Sequence, residues 1–207
     1  MDTYVYVDGF NLYYGAVKST PYKWLDVSKL CNLLLPTSNI VKIKYFTARI
    51  SSRPDDPSKP TRQQIYLRAL QTIPNLEILF GSFLTKNVSL PLAASTPKNM
   101  RFATVIRTEE KGSDVNLAVH MVNDGYKGSF DSAVMVTNDS DLVEAIRIVR
   151  NELGKSVGIL NPQKYPSRIL IRHASFIKQI RSGALKASQF PQTLSDSKGK
   201  FNKPSVW

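Results

Sequence analysis

Short apolar runs alternate with amphipathic stretches along most of the chain, and this alternation predicts its elements. Residues 4–7 form a buried strand that ends in the turn-like pair Asp8-Gly9, and residues 11–17 then open a short helix. Asp26 is placed to cap a helix carrying Val27, Leu30, Leu33 and Leu34, which stops before Pro36. A strand lies within residues 40–50, where Val41, Ile43 and Tyr45 alternate with lysines. Further strands are expected over 76–83, 102–107, 133–137 and 156–160, with a last short segment at 175–180. Thr61 opens a helix with Gln64 three residues on and Ile65, Ala69, Leu70 and Ile73 as its apolar stripe. Other helices are expected over 113–123, 141–153 and 167–173. Residues 51–60 and 85–99 read as loops, the second an insertion, a lid or a substrate-contacting flap. Strands alternating with helices imply an α/β fold, a three-layer α/β/α sandwich around a central, mainly parallel sheet.

From about residue 182 the composition shifts to Lys, Ser, Gln and Pro with scattered Phe and a final Trp207. This predicts a domain over 1–181 and a basic, disordered tail over 182–207. With 207 residues and 42% apolar content the chain can bury a real core. No run of about 18 apolar residues exists, so no membrane helix is expected. The start MDTYVYVDGF does not read as a signal peptide. One cysteine, Cys31, leaves no internal disulfide and fits a reducing cytoplasm, where it serves as a small buried hydrophobe. The net charge of +12 points to a polyanion as partner, without separating a nuclease from a binding module.

Against that basic background the acids stand out, since there are only 16 of them. Asp8 falls just past the first strand, and Asp139 and Asp141 just past another. In open α/β sheets the carboxyl ends of the strands face the functional crevice, so these acids can share one rim if their strands are neighbours. Asp114 opens the helix at 113–123. At 100° per residue it falls with Val115, Ala118, Met121 and Val122, while Asn116, His120, Asn123 and Asp124 form the opposite, polar side. Each acid also has a structural role open to it. Asp8 can make an Asx turn, Asp114 can serve its helix N-terminus with Ser113 as cap, and one of Asp139 and Asp141 can cap the next helix. All four converging would repel strongly without a cation, and oxygen-only ligands suit Mg²⁺ or Mn²⁺. The two histidines, His120 and His173, and the absence of a Cys/His cluster argue against a structural zinc.

Three stretches, YVDGFNLYYG at 6–15, EEKGSDVNLAVHMVNDGY at 109–126 and AVMVTNDSDLVEAIRIVRNELGKSVGI at 133–159, resemble the NYN domain family, PIN-like proteins of the LabA-like or DUF88 group. The resemblance covers roughly residues 3–180. It implies a PIN-like α/β/α sandwich with a metal-dependent ribonuclease centre. Asp8, Asp114, Asp139 and Asp141 match the family's acidic positions, as catalytic groups and as ligands of Mg²⁺ or Mn²⁺, and Asn11 its polar neighbour. The implied reaction is hydrolysis of RNA to 5′-phosphate and 3′-hydroxyl ends. Asn11 is then expected to orient Asp8 or a ligand water. Asn138 and Ser140 would hold phosphate or the neighbouring acids, and Lys111 and Ser113 lie at the helix start where a phosphate could sit. Arg49, Arg53, Arg62 and Arg68, interleaved with Tyr45, Phe46 and Tyr66, are the expected nucleic-acid surface, with RNA as partner and single-stranded DNA as a second polymer. No membrane partner is expected, and a homo-oligomer is compatible with the chain. The main alternative is an RNA-binding or regulatory adaptor that keeps the fold and cleaves nothing. A haloacid-dehalogenase-type phosphatase needs an acid two positions after Asp8, where Phe10 stands, and a Toprim-like domain wants Glu in place of Asp8.

Overall fold

The computed structural model describes residues 1–52, 55–94 and 101–207. Its centre is a six-stranded sheet in the order β3-β2-β1-β6-β7-β8. The strands are β1 (Asp2–Asp8), β2 (Asn39–Thr47), β3 (Leu76–Phe80), β6 (Ser132–Val136), β7 (Ser156–Asn161) and β8 (Phe176–Gln179). Every pairing is parallel. Buried on both faces, the strands read as near-continuous apolar runs, and their two-residue period sorts them into two cores. Val5, Val7, Ile43, Tyr45, Val134, Val136 and Leu160 face one layer. There they meet Leu12 of α1 (Gly9–Leu12) and the apolar sides of α2 (Val27–Leu34) and α3 (Lys59–Leu70). Tyr6, Phe46, Ala133, Met135, Val157 and Ile159 face the other, against α4 (Ser113–Tyr126), α5 (Val143–Arg147) and α6 (Arg168–His173). This is the three-layer α/β/α sandwich that the alternation predicts.

The sheet winds outward in both directions from the β1–β6 pair, where Val7 lies opposite Val136. The chain beyond these two neighbours therefore opens at the topological switch point, the place where such sheets hold ligands. Asp26 caps α2 as expected, accepting from the Lys29 N–H at 3.0 Å.

Three expectations give way. Residues 85–91 of the expected 85–99 loop are strand, residues 92–94 stay a loop, and residues 95–99 lie outside the described residues. Gly81 separates β3 from β4 (Ser82–Pro91), which pairs antiparallel with β5 (Phe102–Lys111) in a two-stranded ribbon running from Ser82–Lys111 to Pro91–Phe102. Both faces of this ribbon are largely solvated, so its strands need no apolar alternation; β5 contains the strand expected over 102–107, while the polar Lys86, Asn87 and Ser89 concealed β4.

The tail over 182–207 is ordered. It forms α7 (Ser182–Ala187) and a hairpin of β9 (Thr193–Asp196) and β10 (Gly199–Asn202). Leu185, Phe190 and Phe201 are buried in the first core. The Trp24 indole N–H donates to Pro191 O at 2.7 Å, and Phe190 and Trp207 pack on the Trp24 ring at 5.7 and 6.4 Å between centroids. A few aromatics with pockets waiting for them outweigh a polar average composition.

On α4 the buried stripe is Ser113, Leu117, Met121, Asp124 and Gly125, whereas Val115 and Val119 face solvent. Asp124, expected on the polar side, is held inside by Lys44 Nζ at 2.6 Å and the Tyr6 hydroxyl at 2.8 Å, with His120 Nδ1 3.3 Å from the same amine. A buried charge satisfied by two donors overrides the hydropathy pattern.

Candidate functional site

At the switch point β1 ends on Asp8, β6 leads into Asp139, and the first turn of α4 presents Asp114. One carboxylate oxygen from each lies within 4.8 Å of the other two. Asp8 is the buried member, 4% exposed, and both of its oxygens are held. The Asn11 N–H donates to Oδ1 at 2.9 Å, making Asp8 the N-cap of α1, and the Thr137 hydroxyl donates to Oδ2 at 3.2 Å. Asp139 caps the 3-10 turn Ser140–Leu142 by accepting from the Asp141 N–H at 3.0 Å, while the Thr137 hydroxyl accepts from its own N–H at 3.1 Å. Capping and clustering are thus compatible: the cap fixes the carboxylate that the cluster uses.

Burial is the main cause that pushes the Asp8 carboxyl up to about 7. The charges of Asp114 and Asp139 act the same way, and the Asn11 and Thr137 hydrogen bonds oppose them. Asp114 is also raised, by burial first and then by Asp139, Glu110 and Asp141. Carboxylates that disfavour one another's charge at this distance form a place for a cation. The Ser113 hydroxyl, 3% exposed and on the wall of the same cleft, has no hydrogen-bond partner among the described residues. An all-oxygen donor set with a spare buried hydroxyl beside it fits a hard divalent ion such as Mg²⁺ or Mn²⁺.

The fourth acid stands apart. Asp141 is exposed and outside the trio, acting on Asp114 only through its charge. Glu110, which sequence reasoning passed over, lines the cleft instead, with Phe10, Tyr14, Phe83 and Gln163. Its Oε1 accepts from the Ser113 N–H at 3.1 Å, and the N-cap of α4 is Gly112 in place of the expected Ser113.

Residues 2–181 match the NYN domain. The chain belongs to the NYN domain family, a PIN-like nuclease family. It is 31% identical over 235 aligned positions to a protein of Pseudomonas putida named 6-hydroxy-3-succinoylpyridine 3-monooxygenase HspA, an alignment covering 99% of this chain and 75% of that one. In fold it is similar to a Vibrio parahaemolyticus protein of unknown function, with a TM-score of 0.56 and 17% identity over 87% of this chain and 93% of the other.

The supporting residues of this NYN domain divide by what they touch. Asn11 Oδ1 accepts from the Asn138 N–H at 3.1 Å, and Asn138 Oδ1 accepts from the Ser167 N–H at 2.7 Å. The two asparagines tie the post-β1, post-β6 and post-β7 loops together, and this is the role the contacts give them. Lys111 pairs with Glu109 at 3.0 Å, and Ser140 is exposed outside the cleft. Among the expected basic residues, Arg49 is exposed over the Phe80 ring at 4.7 Å. Arg62 is ion-paired with Asp56. Arg68 is spent inside the fold, bonding both oxygens of Asp196 at 2.7 Å and lying 4.1 Å over the Phe201 ring. Arg53 lies outside the described residues.

Beyond the Asp8–Gly9 turn this NYN domain has a second recess, partly open to solvent. Phe10 and Tyr14 line both it and the acidic cleft. Tyr13, Tyr45, Tyr66 and Trp207 complete its aromatic wall, so the ordered tail supplies part of it. No helix of the described residues is long and apolar enough to cross a membrane.

Proposed function

We propose that this protein is a metal-dependent nuclease that hydrolyses phosphodiester bonds of RNA. The observation that supports this reading most is the convergence of Asp8, Asp114 and Asp139 within 4.8 Å at the switch point of a chain carrying a net charge of +12. Without a cation the trio would repel a phosphate, yet the rest of the surface attracts one. Asp8, Asp114 and Asp139 would hold Mg²⁺ or Mn²⁺, with Glu110 next to them on the cleft wall. Such an ion activates a water near neutral pH and stabilises the leaving oxygen of a phosphodiester. The chain's own contribution is positional. Asn11 and Thr137 fix both Asp8 oxygens, the Asp141 N–H fixes Asp139, and the Asn11–Asn138 link keeps the strand ends in register.

The test is cleavage of mixed-sequence RNA and single-stranded DNA with Mg²⁺, Mn²⁺ or EDTA, beside Asp139→Asn. Metal-dependent cutting by the wild type alone bears the reading out. RNA binding with no cutting under any metal moves the assignment to a non-catalytic adaptor. The name of the Pseudomonas relative offers a second reading, oxidation of a free heteroaromatic ring, and the aromatic recess beside the acids is the observation that favours it. Consumption of oxygen with a pyridine substrate and a reductant, and no strand cleavage, would establish that reading instead.

A further inference from the structure

The aromatic recess carries more than apolar surface. Tyr45 and Thr47 on β2 are 5% and 4% exposed, and both line it. Their hydroxyls have no hydrogen-bond partner among the described residues, and both residues form part of the recess wall. Two other polar groups of the wall are already engaged. Gln63 donates to Ala48 O and accepts from the Ile50 N–H, and the Tyr66 hydroxyl donates to Leu25 O. Hydroxyls without a protein partner on the wall of an aromatic pocket are placed to bond the polar edge of a ligand. Lys59 and Arg62 stand at the rim.

We infer that this recess is a nucleobase subsite: a base of the substrate strand enters it among Tyr13, Tyr14 and Trp207, and Tyr45 and Thr47 hydrogen-bond its edge. Faces of aromatic rings accept any base by stacking, while two fixed hydroxyls favour bases with matching edge groups. The walls shared through Phe10 and Tyr14 put the base and a phosphate at the acids on one short stretch of chain. Lys59 then meets the neighbouring backbone. The choice of a strand-borne base rests on the nuclease reading.

The experiment uses full-length Asp139→Asn protein in Mg²⁺ and labelled short RNAs that each carry one abasic nucleotide, with affinity read by fluorescence anisotropy. One abasic position is expected to weaken binding about 10-fold or more. Tyr45→Phe and Thr47→Val, which keep the shape of each side chain, are expected to weaken intact RNA by about 3- to 10-fold each. They should leave RNA abasic at that position unaffected. A flat abasic scan overturns the proposal, as does an equal loss on intact and abasic RNA. Calorimetric binding of a free pyridine carboxylate, lost in Thr47→Val while the scan is flat, reassigns the recess to a small ring. Base-dependent binding without cleavage by the wild type would sink the nuclease reading alone. Cleavage indifferent to the abasic scan would sink the subsite alone.

Discussion

Two recesses flank the Asp8–Gly9 turn, and they were built by opposite means. The acidic cleft uses three charges that the fold holds at a cost. The aromatic recess uses neutral rings that the fold gains by covering. Charged groups at strand ends are out of character for a buried sheet, so a sequence advertises them. Aromatic rings look the same in a core and in a pocket, so a sequence hides which they are. Tyr45 and Tyr66 illustrate this: their pattern fits core positions, and only the surrounding walls show that a space remains between them.

Removing residues 182–207 would break the comparison most thoroughly, because the tail belongs to the second recess and not to the first. Truncation loses the burial of Leu185, Phe190 and Phe201, each on the order of 1.5–3 kcal/mol. The sum rivals the whole stability of a domain, about 5–15 kcal/mol. The shortened chain is expected to melt without a cooperative transition near ambient temperature, as read by circular dichroism. A truncated protein that melts as the full chain does would show that the tail only rests on the surface.

The next effect separates the acids from one another. Asp139→Asn keeps the cap, since Asn serves that position well, and removes only the charge. Its loss of cleavage is expected to be about 100-fold or more, the scale seen when one preorganised electrostatic group is removed. Asp141→Asn, exposed and outside the trio, should cost less than about 5-fold, consistent with a screened charge. Equal losses would return Asp141 to the site.

These residues also show what was legible. The sheet, its strands and the placing of Asp8, Asp114 and Asp139 followed from apolar runs ending in acids. The neighbour relation of β1 and β6 did not, because strand order is set by long-range pairing. The buried Asp124 escaped for a related reason: its partners, Lys44 and Tyr6, are only adjacent once α4 is docked. The first strand of the ribbon and the tail escaped because neither keeps the apolar period of an element packed on both faces.

Asp8 gives a pH test of the cleft in the metal-free protein. Its folded-state value, about 7, lies above the ordinary carboxylate value of 3.8 expected in the unfolded chain. Between these values the folded state binds more protons, so stability falls as pH rises from about 4 to 7, and the deficit is complete above 7. That deficit is on the order of 2–4 kcal/mol. Thermal melts in EDTA should therefore show Asp8→Asn more stable than wild type at pH 8 and the gap closing toward pH 5. Added Mg²⁺ should close it from the other side by stabilising the wild type. A pH-independent difference between the two would mean that the Asp8 carboxylate is not strained by its burial.

Gly9 lines the aromatic recess directly after Asp8, and replacing it sharpens the comparison with the smallest expected effect. An added methyl would stand 2.7 Å from Phe46 O and 2.8 Å from the Tyr45 ring. The backbone oxygen is fixed in β2, so the ring and the turn must move. Overpacking of this kind costs about 1–3 kcal/mol. Gly9 is also the first residue of α1, where alanine recovers up to about 1 kcal/mol of helix propensity. The net destabilisation of Gly9→Ala is therefore expected at about 1–2 kcal/mol by denaturant titration. Its functional signature matters more than its size. Moving Tyr45 disturbs the aromatic recess directly, whereas Asp8 remains anchored by Asn11 and Thr137. RNA affinity should fall while metal affinity, read by calorimetry, changes little. Loss of metal binding with RNA affinity intact would mean that the turn yields toward the acids, and that the two recesses are not mechanically separate.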